Sequence, residues 1–595
     1  MSTSAAPRSS PSGAGPGYLR AVAFDLDGTL AEDDHLAPEV LAAIDAARDR
    51  GLRILVVTGR ILSELRATFP ELAAHVDAIV GENGAVTAVG VGSRRLAPAV
   101  PEALVASLRE SGVTFRSGEV ILAAAAADEG VVLDDLRRCG LDCALIRNRA
   151  ELMVLPAGVT KGTGLRHALA DLGLSLHNTI AVGDAENDHS MFDACELGAA
   201  VANAVPSLRA HADVRLAGSA GRGAIELLEG DLLAGRSTVH PGRWQLEVGL
   251  DEHLRPVLIP ASQVNLLVAG GSGTGKSYLA GLLTEQLIGL GYSVVVIDPE
   301  GDHEGVTALP GVWAARAAAE LPGPSEVARL LRSDQSLVID LSTLDPAGRA
   351  HYLDRLPAEI QAQRSVSGRP QWIVLDEAQS TLGPGAAGQR AFEPSNKGHL
   401  VVTWQPARLS ADTAAGLDIV VGMAGPEVPD GLVDLAASVG DLPRATVADA
   451  LDAPPGHAIL VRRDHPRELV TFTVGARMTQ HVRHEHKYSV SEPPPERCFY
   501  FRSAGGTPTG AVARNLRDLE GELAGCGHQV LRHHCLHKDL SRWTREVLCD
   551  PLVADQLSTV EDRISATCQG EALDAGRMQL LRILQSRRPY LMGPA

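Results

Sequence analysis

The sequence predicts an α/β multidomain protein. It should hold a parallel-sheet domain with an α/β insert, a second α/β domain and a small α/β C-terminal module. Three observations predict it. An apolar strand, Ala21–Phe24, runs directly into Asp25-Leu26-Asp27-Gly28-Thr29. A second apolar strand, Val264–Ala269, runs into Gly270-Gly271-Ser272-Gly273-Thr274-Gly275-Lys276-Ser277 and then into a helix. The chain has 595 residues, and single cores stop growing at roughly 250–300 residues. The expected boundaries are a disordered leader over 1–18, a first domain over 19–230 with its cap at about 85–158, and a linker over 231–243. A second domain follows over 244–475, then a basic, Pro-rich linker over 476–497 and the module over 498–595.

Composition narrows the function. The net charge is −19, from 54 basic and 73 acidic residues. That argues against a general nucleic-acid coat, while a local basic channel remains compatible. The eight cysteines are scattered without a CxxC pair, as in a reducing compartment and not in a disulfide or zinc framework. Residues 1–17 are mostly Ser, Pro, Gly and Ala with no apolar core, so no signal peptide is expected. No apolar run reaches the ~20 residues that span a bilayer, and a cytoplasmic location is expected.

In the first domain, side chains two apart on a strand point the same way. Asp25 and Asp27 can therefore share one site, one as nucleophile or metal ligand and the other handling a proton. A helix over Pro38–Arg50 ends at Gly51, and a strand over Leu52–Val57 closes on Thr58-Gly59-Arg60. Strand–helix–strand implies a parallel sheet that binds ligands at its strand C-termini. Lys161 follows a strand over Leu152–Leu155 and opens a helix to Leu172. A strand over Thr179–Val182 ends in Gly183-Asp184-Ala185-Glu186-Asn187-Asp188. Gathered carboxylates repel unless a cation holds them, so Mg²⁺ is implied, with Asp25, Asp27, Asp184 and Asp188 as candidates. Thr58 and Lys161 would hold phosphoryl oxygens.

DLDGT, VVTGR, the Lys161-Gly162 pair and GDAENDHSMF resemble, in order, the four motifs of haloacid dehalogenase superfamily phosphatases. Gly81-Glu82-Asn83-Gly84-Ala85 and Ala202-Asn203-Ala204 resemble the Cof-like, type IIB subgroup, whose cap lies between the second and third motifs. The resemblance implies that Asp25 forms an aspartyl-phosphate and Asp27 acts as general acid/base. It also implies that Thr58 and Lys161 bind the phosphoryl group and that Asp184 holds Mg²⁺ with Asp25 and the Asp27 carbonyl, supported by Asp188. A cap that closes over the leaving group favours a small phosphorylated metabolite over a polymer. Arg116, Arg147 and Arg149 are candidate cap contacts or an ordinary solvated face.

Gly270–Ser277 fits GxxxxGK[ST] in the strand–loop–helix context that gives the motif meaning. Its backbone N–H groups would cradle ATP phosphates, with Lys276 on the terminal phosphates and Ser277 on Mg²⁺. A strand over Ser293–Ile297 ends in Asp298-Pro299-Glu300-Gly301-Asp302, and one over Gln371–Leu375 ends in Asp376-Glu377-Ala378-Gln379. Asp376 suits an outer role toward Mg²⁺, and Glu377 suits polarising a water. A strand over His399–Thr403 ends in Trp404-Gln405, where a polar group could sense the γ-phosphate. GGSGTGKS, IDPEGDH, WIVLDEAQ and VVTWQPARL look like the ATPase group of the archaeal helicase/translocase HerA, bacterial FtsK and the VirB4 secretion ATPases. That implies an ATPase, a homo-oligomeric ring, and an arginine supplied by a neighbour, with Arg408 and Arg390 as candidates. The short chain between Walker A and Walker B leaves little room for a pore-lining insertion.

The remaining stretches connect these domains. Leu232–Arg243 reads as a linker and Trp244–Ile259 as a β-hairpin entering the second domain. Arg477–Tyr488 packs His481, His484 and His486 with Arg477, Arg483 and Lys487, either as a phosphate contact or as a solvated linker. Cys498–Arg502 reads as a strand, and Leu516–Leu523 and Trp543–Leu548 as helices of an accessory module. The expected function is a Mg²⁺-dependent phosphatase fused to an ATPase, with ATP state gating the phosphatase. The alternatives are a translocase whose first domain only binds a phosphorylated ligand, or a polynucleotide kinase–phosphatase. The cap and the Asp376-Glu377 pair argue against the latter.

Overall fold

A computed structural model describes residues 17–586 apart from 91, 149, 317–320, 332–334, 383–391, 394–395, 480–497, 504, 548–550 and 567–569. The strand Ala21–Phe24 is wholly buried. It lies between Arg53–Val57 and Thr179–Gly183, both parallel to it. Apolar runs such as AVAF, ILVV and TIAVG suit strands covered on both faces. The sheet continues through Leu197–Ala200 to Val214–Arg215 on one side, and through Ala78–Gly81 on the other.

The expected cap boundary shifts. Val86–Val89 and Gly92–Arg95 extend the main sheet as an antiparallel hairpin turning at Gly90 (φ 60°). The separate sheet of the insert begins later. Its four antiparallel strands run in the order Phe115–Ser117, Leu122–Ala125, Glu151–Pro156, Cys143–Asn148. Leu104, Leu108, Val132 and Leu136, from the helices Glu102–Glu110 and Glu129–Cys139, pack on one face in a core of their own.

The second domain is built on an eleven-stranded sheet. Its parallel strands run Ile419–Met423, Asn265–Ala269, His399–Thr403, Trp372–Leu375, Val294–Asp298, Ser336–Asp340 and Val312–Arg316. The strand that feeds the glycine-rich loop and the strand that ends at Asp376 therefore flank His399–Thr403. The expected hairpin forms from Gln245–Leu250 and Pro256–Pro260, with a bulge between Glu247 and Gly249. It joins the sheet through Leu469–Val474.

The C-terminal module holds the expected strand, now paired as Phe499–Arg502 with Pro508–Ala513. The rest is helical: Leu516–Gly525, His528–Leu536, Asp539–Glu546, Pro551–Ser565 and Gly570–Ser586. The helix expected at Trp543–Leu548 starts earlier, at Asp539, because Trp543 is a core residue in its middle and packs with Phe499 and Leu557.

The two large domains dock by the N-terminal ends of their parallel strands. Glu196, just before Leu197–Ala200, is fully buried. Its carboxylate accepts from Tyr292 Oη (2.9 Å) and from the Ser262 hydroxyl, and it faces His177 Nδ1 at 3.0 Å. The His177 ring stacks on Tyr292 (3.7 Å between centroids), and its Nε2 lies 2.9 Å from the Leu290 carbonyl. Asn178, before Thr179–Gly183, accepts from Gln371 Nε2 (2.8 Å), before Trp372–Leu375. Arg369 donates to the Leu174 carbonyl. Tyr18, assigned by sequence to a disordered leader, belongs to this junction, where its carbonyl accepts from Asn178 Nδ2 (2.9 Å).

Buried polar groups that lose their partners are costly, about 1–3 kcal/mol each. Glu196→Ala strands Ser262, Tyr292 and His177, so the chain should lose on the order of 3 kcal/mol of stability. Thermal unfolding should begin several degrees lower, and limited proteolysis should open the segment between residues 230 and 243. An unchanged melting curve and digestion pattern would contradict this role.

Two candidate active sites at strand C-termini

In the first domain the sheet delivers Asp25 after Ala21–Phe24, Thr58 after Arg53–Val57 and Asp184 after Thr179–Gly183. Lys161 is 1% exposed. Its Nζ donates to Asp25 Oδ1 (2.6 Å) and Asp188 Oδ1 (2.7 Å). Asp188 Oδ2 accepts from the backbone N–H groups of Asp184 (2.9 Å) and Ala185 (3.0 Å). Asp188 thus positions Lys161 and the Asp184 loop, and it stands in the same buried acidic cluster as the other expected metal ligands. Asp25, Asp184 and Asp188 are buried, with ligand atoms within 4.8 Å of one another. Burial, then the charge of Asp188, pushes the Asp25 carboxyl well above its ordinary range, against the opposing pull of Lys161. Burial alone would lower the Lys161 ammonium, but Asp188 and Asp25 outweigh it and hold it raised. A site with this surplus of buried negative charge fits a divalent cation between Asp25 and Asp184.

Asp27 points elsewhere than Asp25, into a clamp the sequence did not reveal. Arg60 donates to both its oxygens, at 2.8 Å and 2.5 Å, and also pairs with Asp34. In sequence Arg60 stands only as the end of VVTGR. Thr58 is buried, and its hydroxyl accepts from Arg60 N (3.1 Å). The Asn203 amide donates to the Gly28 carbonyl (2.8 Å) and fixes the turn after Asp27, where Gly28 has φ 84°. Glu82 is fully buried, and its carboxylate accepts the backbone N–H groups of Glu119 (2.8 Å), Val120 (2.8 Å) and Ile121 (3.2 Å). This seats the insert against the main sheet beside Asn83. Arg116 and Arg147 form exposed ion pairs with Glu64 and Glu151, and with Glu129. Arg149 lies outside the described residues.

In the second domain, Gly273 (φ 82°) and Gly275 (φ 100°) adopt left-handed backbone in the loop, and the helix Lys276–Gly289 follows. Lys276 Nζ donates to the Gly271 carbonyl (2.8 Å), and so does the Thr274 hydroxyl (3.0 Å). Ser277 is the second residue of that helix. Asp376 is buried and faces His303 Nε2 at 2.9 Å. Nothing in IDPEGDH alone assigns this histidine a role. Asp298 explains its placement: its carboxylate accepts from the N–H groups of Gly301 (2.8 Å) and His303 (2.8 Å), which folds the loop back toward Asp376. Burial lifts the Asp298 carboxyl to about 6. Burial would lower His303, but its bond to Asp376 and the charge of Asp298 lift it to about 9.

Glu377 takes up left-handed backbone (φ 47°), and burial, Glu300 and Asp376 raise its carboxyl to about 7. Gln379 donates to it and accepts from the Thr403 hydroxyl (2.7 Å), so the strand His399–Thr403 reaches Glu377 through one amide. Gln405 N donates to that same hydroxyl (3.0 Å), and Arg408 donates to Gln405 Oε1 (3.3 Å). Arg390 lies outside the described residues. Arg477 is packed against Gly281 and Tyr278 and pairs with Glu285 at 3.8 Å. His481, Arg483, His484, His486 and Lys487 lie outside the described residues.

Residues 22–113 and 146–225 match the family model of haloacid dehalogenase-like hydrolases, and 261–378 match that of the helicase HerA central domain. A phosphoglycolate phosphatase of Methanothermobacter thermautotrophicus is 28% identical over 215 residues, covering 35% of this chain and 96% of that protein. An HMP-PP phosphatase of Cronobacter sakazakii is 29% identical over 233 residues, covering 32% of this chain and 86% of that protein. Among solved structures, a HAD subclass IIB sugar phosphatase aligns at 23% identity and a TM-score of 0.29, over 33% of this chain and 93% of its own. A Thermoplasma acidophilum protein aligns at 19% and 0.31, over 36% and 97%. The two family matches and the similar phosphatases assign a hydrolase function to two separate parts of the chain. Its N-terminal part is a haloacid dehalogenase-like phosphatase domain, and its central part is a HerA-type ATPase domain.

The close packing around Asp188 yields a test. A Cβ on Gly183 would lie 2.4 Å from Asp188 Oδ2. Gly183→Ala should displace that carboxylate and, with it, Lys161. Phosphate release should drop by at least about tenfold, a loss of roughly 1.4 kcal/mol in transition-state stabilisation. ATP hydrolysis by the same preparation should be unchanged, which checks folding.

Proposed function

We propose that the N-terminal domain hydrolyses a small phosphomonoester through attack by Asp25 on phosphorus. The observation that carries this reading is the buried Lys161 bridge between Asp25 and Asp188. Lys161 and the Thr58 hydroxyl hold the phosphoryl oxygens of the substrate. Asp25 displaces the leaving alcohol and becomes an aspartyl-phosphate, and Asp27, held by Arg60, gives that alcohol its proton. Asp27 then takes a proton from the water that releases phosphate and restores Asp25. Asp25, Asp184 and the Asp27 carbonyl would hold Mg²⁺, which supplies positive charge to the transferring group. The insert seated by Glu82 limits access to small substrates. Phosphoglycolate, the substrate named for several relatives, is the first compound to test.

In the central domain we propose that Gly270–Ser277 binds the phosphates of ATP, with Lys276 on the terminal groups. Ser277 and Asp376 would hold Mg²⁺, and Glu377 would draw a proton from the attacking water. The Thr403–Gln379–Glu377 chain of hydrogen bonds supports a link between the neighbouring strand and that glutamate. Arg408 is offered as a contact to a neighbouring subunit in a ring. Two sites at the outer ends of sheets joined base to base suit separate reactions better than sequential work on one nucleic-acid end.

Asp25→Asn should abolish release of phosphate from phosphoglycolate or a sugar phosphate and leave ATP turnover intact. Lys276→Ala should do the reverse. EDTA should stop both reactions, and added Mg²⁺ should restore both. Separately, Glu377→Gln should keep ATP binding within a few-fold but slow hydrolysis by 10²-fold or more, as for loss of a general base. Equal loss of ATP affinity would move Glu377 from catalysis to structure.

A further inference from the structure

The domain junction encloses a cavity of about 130 Å³. It lies between the start of Ala21–Phe24, the connecting segment near Thr238, and the end of the helix Pro346–Ser367. Among the described residues that line it there is no Asp or Glu, in a chain with 73 acidic and 54 basic residues. Arg20 and Arg364 line it and are 7% and 5% exposed. Arg20 Nη2 donates to the Arg364 carbonyl (3.3 Å). The Arg364 guanidinium donates to the carbonyls of Gln371 (2.9 Å) and Lys397 and lies 3.4 Å from His399 Nε2. The three carbonyl acceptors carry no charge. Lys397 also lines the cavity, but its ammonium is paired with Asp418 at 2.8 Å.

Two buried guanidinium groups around one cavity repel each other, and burial penalises both. Each is pushed down only to about 10, so each stays charged at neutral pH. Planar guanidinium forks match tetrahedral oxyanions.

We propose that this cavity binds a tetrahedral oxyanion, inorganic phosphate, between Arg20 and Arg364, with Thr238 at its mouth. The volume excludes a nucleotide, because pockets for drug-sized ligands begin at roughly 300 Å³. Phosphate is the product that both catalytic domains release, so the ligand is made on either side of the site. Arg20 directly precedes the strand that carries Asp25, and Arg364 ends the helix that leads to the strand carrying Asp376. The bound anion would neutralise both cations and tie the two domains together at their bases.

The test is anomalous diffraction from crystals of the full chain soaked in tungstate, for the wild type and Thr238→Glu. Thr238 is exposed and belongs to neither catalytic site, and the new carboxylate would repel an anion at the mouth. A tungsten peak should appear between Arg20 and Arg364 in the wild type and vanish in the variant, while a peak beside Lys161 persists in both. In solution, phosphate should raise the melting temperature of Asp25→Asn, and adding Thr238→Glu should shrink that rise by more than half. A tungsten peak beside Lys161 with none in the cavity would overturn the proposal. So would an equal phosphate-induced rise with and without Thr238→Glu.

Discussion

The architecture depends on one buried carboxylate. Glu196 accepts from Ser262 and Tyr292 and faces His177 across the boundary between the two large domains. A charge without solvent is tolerated only where several donors meet it, and these donors come from three segments of the second domain and the first domain together. Because each partner directly precedes a parallel strand or lies close to one, the two sheets are joined base to base. Open parallel sheets place their chemistry at the other end, outside the strand C-termini. The junction therefore sets the two sites apart, each one strand length, about 15 Å, from the boundary. Any influence of nucleotide on the phosphatase site, as the gating expected from sequence requires, would have to pass through this junction.

Both sites solve the same electrostatic problem. In each, carboxylates needed for chemistry crowd together at buried strand ends, and a neighbouring cation holds the supporting one. Lys161 does this between Asp25 and Asp188, and His303 does it beside Asp376. In each case a second carboxylate shapes the loop by accepting backbone N–H groups: Asp188 for the turn after Gly183, and Asp298 for the turn that brings in His303. Burial lifts the carboxylates left for chemistry, Asp25 and Glu377, above their ordinary range, and it lifts the loop-shaping Asp298 as well.

The strand-end motifs were legible because they join a local pattern to a chemical need. Ala21–Phe24 and His399–Thr403 are observed at their expected bounds, and the other motif strands within a residue or two. What stayed hidden depends on contacts between distant segments. Arg60 lies 33 positions from Asp27, and His303 lies 73 from Asp376, so neither pairing leaves a periodic trace. Glu82 was visible within a motif, but its grip on residues 119–121 required the insert to be folded over it. The start of the insert was misjudged because Val86–Val89 has no helix before it, so nothing local shows that it returns to the main sheet. In the C-terminal module, mixed polar helices with short connections carry weak period signals, and only Leu516–Gly525 was anticipated closely.

The central claim is that the junction makes the two catalytic domains one cooperative body. Differential scanning calorimetry of the full chain, with and without Mg²⁺ and a non-hydrolysable ATP analogue, tests it most directly. One transition should account for both large domains, and the whole of it should move up in temperature when the analogue binds, since ligand binding to the native state stabilises every element that unfolds with the site. Two resolved transitions for those domains, with only one shifted by nucleotide, would contradict the account and leave the domains as independent neighbours.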